Sequence, residues 1–530
     1  MNGEHLIRLC VPVCARRAGE LKPALERAAA LGDIVELRLD CLAASELAVL
    51  QPELKALLRE HARPSILTLR PAQEGGQREI DNLTRIIFWT QFFSGEPPPN
   101  ACADIELDLA LYFQERERDG HGVLDWPRVI CSHHDFTSAP SDLTKLYERM
   151  SATPARIMKI AVMAADLTGC LPLFSLLDRA RDEGRQLIAV AMGAAGILTR
   201  ILGPSRGSYL TYGALDLEHQ TAPGQISAAQ LRELYRLERL DRGAMITGLI
   251  GSPVAHSVSP QMHNAAFKAL DLNAVYLPLE VQNLKEFVLR MAHPRTRELG
   301  WNLRGLSVTA PHKSAVMEQL DWVETSAREI GAVNTVVADD EGLRGFNTDV
   351  KAFIGVLKEK LGTLGGARCA VIGAGGVARA ALWGLQQEGA RATVFARDVE
   401  RAKPLAEKFG ADCDALADAR FEGFDAVVNT TPLGTRGPLE SLSPASAEQL
   451  RGARLAYDLV YNPAVTQFMR EAQRAGCATT NGLPMLVAQA AAQFALWTGL
   501  KAPVELMREA ARSAIAASLS NVVDQQATES

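Results

Sequence analysis

RIMKIAVMA, Arg156–Ala164, reads as a buried strand in which Ile157, Met158, Ile160, Ala161, Val162 and Met163 surround a single charge, Lys159. A lysine inside an apolar strand must be paired or desolvated, because an isolated charge is costly in a low-dielectric interior. Desolvation lowers an amine's pKa, and a neutral amine at neutral pH attacks carbonyl groups. The plainer alternative is a strand-end lysine whose head reaches water.

Working outward, seven further β-rich runs alternate with amphipathic stretches: LIRLCVPV, DIVELRLD, SILTLR, ACADIELDL, RVICSHHDF, QLIAVAMG and SYLTYGAL. Eight alternations of strand and helix predict a (β/α)8 barrel, whose chemistry sits at the C-terminal ends of its strands. The polar residues fall there: Glu36, Arg38 and Asp40; Arg70 and Glu74; Asp104 and Glu106; His133 and His134; Lys159; Arg200. Glu36 and Arg38 are two apart, so they share one face of their strand, as a structural ion pair or as a ligand-binding pair. His133 and His134 are adjacent and point to opposite faces, which argues against a shared metal ion. One is expected to act as acid and base and the other to pack.

Composition narrows the function. The 530 residues carry a net charge of −6 and no basic run, so there is no electrostatic case for nucleic acid or an anionic membrane. Nine scattered cysteines without a CxxC pair or a Cys/His cluster suggest a reducing compartment and no metal centre. The N-terminus shows neither a signal-peptide pattern nor a transit-peptide composition, so the expected location is cytoplasmic, or plastid-like if a transit peptide has been removed. The apolar window Leu483–Leu500 contains Pro484, Gln489 and Gln493 and reads as a buried helix rather than a membrane span. No obligate protein partner is inferred.

Six ordered segments of the first half, ELRLD, LTLRPAQEGG, CSHHDF, MKIAVMA, AMGAAGILTR and TAPGQ, resemble the type I 3-dehydroquinate dehydratases. The resemblance implies an imine between Lys159 and a substrate ketone. It implies His134 as the acid and base, oriented by Glu74. It gives Arg200 to the substrate carboxylate, and Glu36, Arg38, Arg70 and Gln225 to the substrate's other contacts. Thr221 stands where the bacterial pattern has serine. A lysine-dependent aldolase is a rival reading, but it would not need this set of charges.

A capping-box pattern, Ser227 with Gln230, predicts a closing helix that ends near Asp241–Gly243, and the strand MITGLIG follows without a flexible linker. In the second half, CAVIGAGGVARAALWGL, Cys369–Leu385, places Gly373, Ala374, Gly375, Gly376, Val377 and Ala378 between a strand and an Ala-rich helix. That is the context of a dinucleotide fingerprint. After the next strand, RATVFAR, Arg397 and Arg401 suit a 2′-phosphate and favour NADP, although Asp398 lies between them.

GSPVAHSVSPQMHNAAF, LSVTAPHKSAV, GAVNTVV, GFNTDVKAF, YDLVYNP and NGLPMLVAQAAAQF together resemble the shikimate dehydrogenases. The resemblance implies Lys313 and Asp349 as the catalytic pair and Ser257, Ser259, Thr309, Asn334 and Gln489 as substrate contacts. Ser307 replaces the family's asparagine, and Ala396 and Asp398 replace residues flanking its cofactor arginine. The expected organisation is a barrel over 1–241, a substrate-binding domain over 244–350 completed by 484–520, a Rossmann NADP-binding domain over 351–483, and a flexible tail over 521–530. The expected function is bifunctional: dehydration of 3-dehydroquinate to 3-dehydroshikimate, then reduction with NADPH to shikimate. A quinate-reducing second half, or one half that only binds ligand, are the alternatives.

Overall fold

The computed structural model describes residues 7–137, 142–216, 218, 220–255 and 257–528, with side chains described as far as residue 517. The chain divides into two compact units, Met1–Ala244 with Glu298–Trp301, and Met245–Arg297 with Asn302–Ser530.

The first unit holds eight strands: β1 (Leu9–Val13), β2 (Ile34–Arg38), β3 (Ser65–Thr68), β4 (Ala101–Glu106), β5 (Val129–Asp135), β6 (Ile157–Met163), β7 (Gln186–Met192) and β8 (Thr211–Tyr212). They form one sheet in the order β7-β6-β5-β4-β3-β2-β1-β8, every pairing parallel. A parallel bridge between Leu187 and Ser208 brings the chain just before β8 back to β7, so the barrel is nearly closed. The two-residue period of each strand sorts the interior into layers. Ile34, Ile66, Ile130, Ile157 and Ile188 fill an apolar base with Cys10 and Leu210. The next inward positions on β2, β4, β5 and β6 are Glu36, Asp104, Ser132 and Lys159. The base is hydrophobic because nothing there needs solvent; polar groups enter where strands approach the open end.

Two expectations need correcting here. Cys14 and Cys41 form a disulfide, so not all nine cysteines are thiols; seven are free. The pair was hidden by its 27-residue separation. Cys14 directly follows β1 and Cys41 closely follows β2, and parallel neighbouring strands bring the Cα atoms to 5.4 Å. The capping box forms, with the Gln230 amide donating to Ser227 Oγ at 3.2 Å. The helix behind it is only a wide turn over Gln230–Leu234 and a short 3-10 turn over Leu237–Arg239.

The second unit contains two six-stranded sheets. The first is mixed, with β9 (Met245–Gly251), β10 (Ala274–Glu280), β11 (Asn302–Val308), β12 (Trp322–Val323), β13 (Thr335–Asp339) and β14 (Gly342–Phe346) in the order β10-β9-β11-β13-β14-β12. The second is parallel throughout: β15 (Arg368–Ile372), β16 (Arg391–Ala396), β17 (Asp412–Ala415), β18 (Ala426–Asn429), β19 (Leu455–Asp458) and β20 (Ala478–Thr480). Its order, β17-β16-β15-β18-β19-β20, is the doubly wound arrangement, with its switch point between β15 and β18.

The apolar window folds as the helix Leu483–Thr498 and returns to the first of these sheets. Val487, Ala490, Phe494 and Trp497 pack with Met262, Phe267 and Tyr276, and Trp497 Nε1 donates to the Val336 carbonyl at 3.0 Å. Among the described residues no helix is long and apolar enough to cross a membrane. The last helix spans Val504–Thr528 and so covers 521–528 of the stretch expected as a flexible tail; residues 529–530 lie outside the described residues.

Candidate active sites

At the C-terminal end of the barrel strands lies a cavity. Nine of the barrel residues singled out from the sequence line it, Glu36, Arg38, Arg70, Glu74, His134, Lys159, Arg200, Thr221 and Gln225, whereas Asp40, Asp104 and Glu106 do not. His133, one position along β5, is not among the lining residues, as alternation along the strand requires.

Lys159 is 5% exposed, and of the two fates open to its ammonium it is paired. Nζ donates to Asp104 Oδ2 at 2.9 Å, lies 3.6 Å from Glu36 Oε1 and sits 4.5 Å above the Tyr212 ring. Burial alone would raise the Asp104 carboxyl, but the Arg70 guanidinium and the Lys159 ammonium outweigh it and hold it at about 2. Arg70 NH2 lies 2.9 Å from Asp104 Oδ1, and NH1 donates to Glu106 Oε1 at 2.9 Å and Ser132 Oγ at 2.8 Å. Arg38 grips Asp40 with two hydrogen bonds, at 2.9 and 2.7 Å, and NH2 also donates to the Gly75 carbonyl.

His134 and Glu74 form the titrating pair. The His134 amide donates to Glu74 Oε2 at 3.0 Å, and the ring Nδ1 is 3.3 Å from the same oxygen. Burial, joined by the charges of Arg70, Lys159 and Arg38, pushes the imidazole well below its ordinary range, so it is neutral at neutral pH. Burial pushes Glu74 up to about 7, against the pull of Arg70. A neutral histidine beside a carboxyl that titrates near 7 is suited to taking and returning a proton.

Arg200 is the least compensated charge of the site. Only 1% exposed, it donates NH2 to the Pro223 carbonyl at 3.2 Å, its Nε has no partner, and burial alone lowers it to about 10. No carboxylate among the described residues pairs with it. A buried guanidinium without a counter-charge is expensive, and an anionic ligand offsets that cost. Beside it on the lining, Gln225 and Thr221 hold one another: the Thr221 amide donates to Gln225 Oε1 at 2.7 Å, and Gln225 Nε2 donates to Thr221 Oγ1 at 3.1 Å.

In the second unit, Lys313 Nζ donates to Asp349 Oδ2 at 2.5 Å. Asn334 Nδ2 donates to Asp349 Oδ1 at 2.7 Å and to Thr348 Oγ1 at 2.9 Å. The Asp349 carboxylate is thus held by one cation and one amide. Thr309 directly follows β11, Lys313 lies in the helix His312–Ala315, and Asn334 directly precedes β13, its carbonyl accepting from the Val308 amide at 2.8 Å. Ser257 and Ser259 touch each other, Oγ to Oγ at 3.1 Å. Gln489 Nε2 donates to the Leu486 carbonyl of its own helix at 2.8 Å.

Ser307 belongs to a buried chain that sequence reasoning missed. Tyr276 OH donates to Ser307 Oγ at 2.8 Å, and Ser307 Oγ donates to Gln493 Oε1 at 2.8 Å. Gln493 Nε2 donates to Thr335 Oγ1 and to the Asn334 carbonyl, both at 3.1 Å. The one signal for this was that Gln493 shares a helix face with Gln489.

The residues of the glycine loop fit a dinucleotide. Gly373 has φ +108°, a conformation for which glycine is favoured, and a Cβ there would lie 2.9 Å from Thr430 Oγ1. A Cβ on Gly375 would meet nothing within 4 Å, which leaves the N-terminus of the helix Gly376–Gln387 open. A Cβ on Gly376 would come 3.6 Å from Lys313 Cδ, so Lys313 lies against this loop. Ala396 ends β16, and Arg397 and Arg401 are exposed beyond it. Asp398 caps the next helix, its Oδ1 accepting from the Arg401 amide at 3.1 Å. That structural task accounts for an acid between the two arginines. Among the described residues no group of three or more His, Cys, Asp or Glu is placed to hold a metal ion.

Comparison with known proteins agrees with this layout. The family model described as type I 3-dehydroquinase matches residues 9–242. Those for the shikimate dehydrogenase substrate binding domain, the shikimate/quinate 5-dehydrogenases and the shikimate 5′-dehydrogenase C-terminal domain match 249–336, 356–435 and 482–512. The chloroplastic bifunctional 3-dehydroquinate dehydratase/shikimate dehydrogenase of Arabidopsis thaliana is 35% identical over 520 residues, 94% of this chain and 83% of that protein. The shikimate dehydrogenase (NADP(+)) of Caldanaerobacter subterraneus is 41% identical over 269 residues, covering 49% of this chain and 94% of its own. The crystal structure of Thermus thermophilus shikimate 5-dehydrogenase in complex with NADP(H) and shikimate is 39% identical, covers 51% of this chain and 99% of its own, and has a TM-score of 0.46. With a barrel and a dehydrogenase unit in one chain, and a relative matched along 94% of it, this protein belongs to the bifunctional 3-dehydroquinate dehydratase/shikimate dehydrogenase family.

Proposed function

We propose that the chain runs two consecutive reactions, with Lys159 and His134 carrying the first and Lys313 and Asp349 the second. The observation that supports the first most strongly is the enclosure of Lys159, His134 and the uncompensated Arg200 in one cavity. Arg200 takes the carboxylate of 3-dehydroquinate. Lys159 condenses with its ketone, and the resulting imine acidifies the neighbouring C–H. His134 removes that proton and returns one to the departing hydroxyl, with Glu74 fixing the ring. Glu36, Arg38, Arg70, Thr221 and Gln225 hold the rest of the substrate. The product, 3-dehydroshikimate, is what the second unit reduces to shikimate.

NADPH, when bound on the glycine loop, supplies the hydride. Gly373, Ala374, Gly375, Gly376, Val377 and Ala378 hold its pyrophosphate, and Arg397 and Arg401 its 2′-phosphate. Lys313 stands beside that loop and, with Asp349, delivers the proton that the developing alkoxide requires. Ser257, Ser259, Thr309, Asn334 and Gln489 hold the substrate. We assign the first reaction to 1–241, substrate binding for the second to 244–350 completed by 484–520, and NADP binding to 351–483. The seven free thiols support a cytoplasmic or plastid-like setting, and the Cys14–Cys41 disulfide is the feature that departs from it.

The arginine assignment has a direct test. Replacing Arg397 and Arg401 together with leucine should raise KM for NADPH at least about tenfold and leave that for NADH nearly unchanged. Equal effects on both would remove the 2′-phosphate role.

The Glu74 carboxyl sets a pH dependence. Its ionisation near 7 creates the acceptor that orients the His134 ring, so the dehydration rate should rise with pH through about 7. The sign for folding is opposite. A carboxyl raised above its unfolded value contributes stability at low pH that is lost as pH rises through about 7. Glu74→Gln should be slower and should lack the inflection near 7; an unchanged inflection would assign that titration to another group.

A further inference from the structure

The Lys159 ammonium rests between two carboxylates, and imine formation leaves its nitrogen a proton for only one of them. We propose that Asp104 stays with that nitrogen as the counter-ion of the protonated imine, while Glu36 is released to the substrate. The proposal rests on Lys159 being the imine-forming residue.

The balance of the step makes the choice necessary. The amine adds to the ketone carbon, the C–N bond forms, and the carbonyl oxygen becomes a hydroxyl. Expulsion of that hydroxyl as water gives a C=N bond. Overall, R–NH3⁺ and O=C become R–NH⁺=C and H2O. The positive charge is unchanged and remains centred on the same nitrogen, but three N–H donors fall to one.

Asp104 is built to keep that donor. Its Oδ2 is 2.9 Å from Nζ, against 3.6 Å for Glu36 Oε1. Its other oxygen lies 2.9 Å from Arg70 NH2, and Arg70 is itself tied to Glu106 and Ser132. Asp104 is 0% exposed and is not among the residues lining the cavity, so substrate does not compete for it. Burial works against its charge, but Arg70 and Lys159 hold the carboxyl at about 2, and it is ionised throughout the working range. Without that charge the protonated imine and the Arg70 guanidinium are left as like charges in a buried layer, no longer bridged by the carboxylate they share.

Glu36 is placed for the other task. It lines the cavity, Lys159 Nζ reaches it only as an ion pair at 3.6 Å, and the donor hydrogen-bonded to it among the described residues is the Thr68 hydroxyl, on Oε1 at 2.6 Å. When Nζ loses two of its protons, Glu36 is free to accept from a substrate hydroxyl.

The test is borohydride trapping of the full-length chain with 3-dehydroquinate, read by mass spectrometry of the peptide carrying Lys159. Asp104→Asn should slow formation of the adduct by about 30-fold. Glu36→Gln should raise KM, and at saturating substrate it should slow trapping far less than Asp104→Asn does. If the wild-type chain gives no adduct on Lys159, the imine reading itself fails. If it does, and Asp104→Asn traps at the wild-type rate, or Glu36→Gln is the variant that loses trapping, the counter-ion role is overturned. Should Asp104→Asn not fold, a crystal structure of the unreduced wild-type imine decides. Asp104 within hydrogen-bond distance of Nζ supports the proposal, and Glu36 in that place with Asp104 withdrawn overturns it.

Discussion

Lys159→Ala should lower dehydration of 3-dehydroquinate by at least about 10⁴-fold, because it removes the one primary amine among the residues that line the cavity. Nothing nearby substitutes for it. The other cations of the cavity are guanidiniums, which are poor nucleophiles and are bound to carboxylates or, in Arg200, to the Pro223 carbonyl. Truncation also leaves Asp104 and Glu36 without their shared cation, so some loss of stability will accompany the loss of rate. Reduction of 3-dehydroshikimate by the same variant separates the two effects, since that activity belongs to the other unit. Borohydride with substrate should label the wild-type chain on Lys159 and leave Lys159→Ala unlabelled. A label on any other lysine would move the chemistry elsewhere.

Lys313→Ala should lower kcat for the reduction by about 10²- to 10⁴-fold while the dissociation constant for NADPH holds within about threefold. The lysine lies close to the glycine loop, yet its polar partner is Asp349 and not the loop, so its loss falls on the transition state. Asp349→Asn should lower kcat as well, because Lys313 and Asn334 both converge on that carboxylate. Removing either partner alone should cost nearly as much as removing both, the mark of two groups acting as one. Additive losses would mean separate roles, and a large loss of NADPH affinity would make Lys313 a cofactor contact.

Much of this was legible because each critical residue breaks a local pattern. Lys159 interrupts an apolar strand, Glu36 and Arg38 put charges on the inward face of another, and Gly373–Ala378 interrupt the passage from strand to helix. Such violations survive only where function or pairing compensates them. What escaped is what depends on partners distant in sequence. Asp104 was visible as a strand-end charge, but its grip on Lys159, 55 residues away, follows from the order of β4, β5 and β6. Cys14 and Cys41 looked like unrelated thiols until β1 and β2 lay side by side. Ser307 and Gln493 stand 186 residues apart and meet because the helix Leu483–Thr498 returns to the sheet of β11. Asp398 read as an ambiguous cofactor signal because capping and ribose binding call for the same residue type at nearly the same place. The closing helix was over-read for a different reason: its capping box is real, but a capping box sets where a helix starts and not how far it runs.

A single incubation tests whether one chain carries out two consecutive reactions. The full-length protein, supplied with 3-dehydroquinate and NADPH and followed by NMR and by absorbance of the cofactor, should produce shikimate. 3-Dehydroshikimate should appear transiently, and one NADPH should be consumed for each shikimate formed. Without NADPH the reaction should stop at 3-dehydroshikimate. Consumption of NADPH with quinate as the product, or accumulation of 3-dehydroshikimate while NADPH is left untouched, would contradict the account.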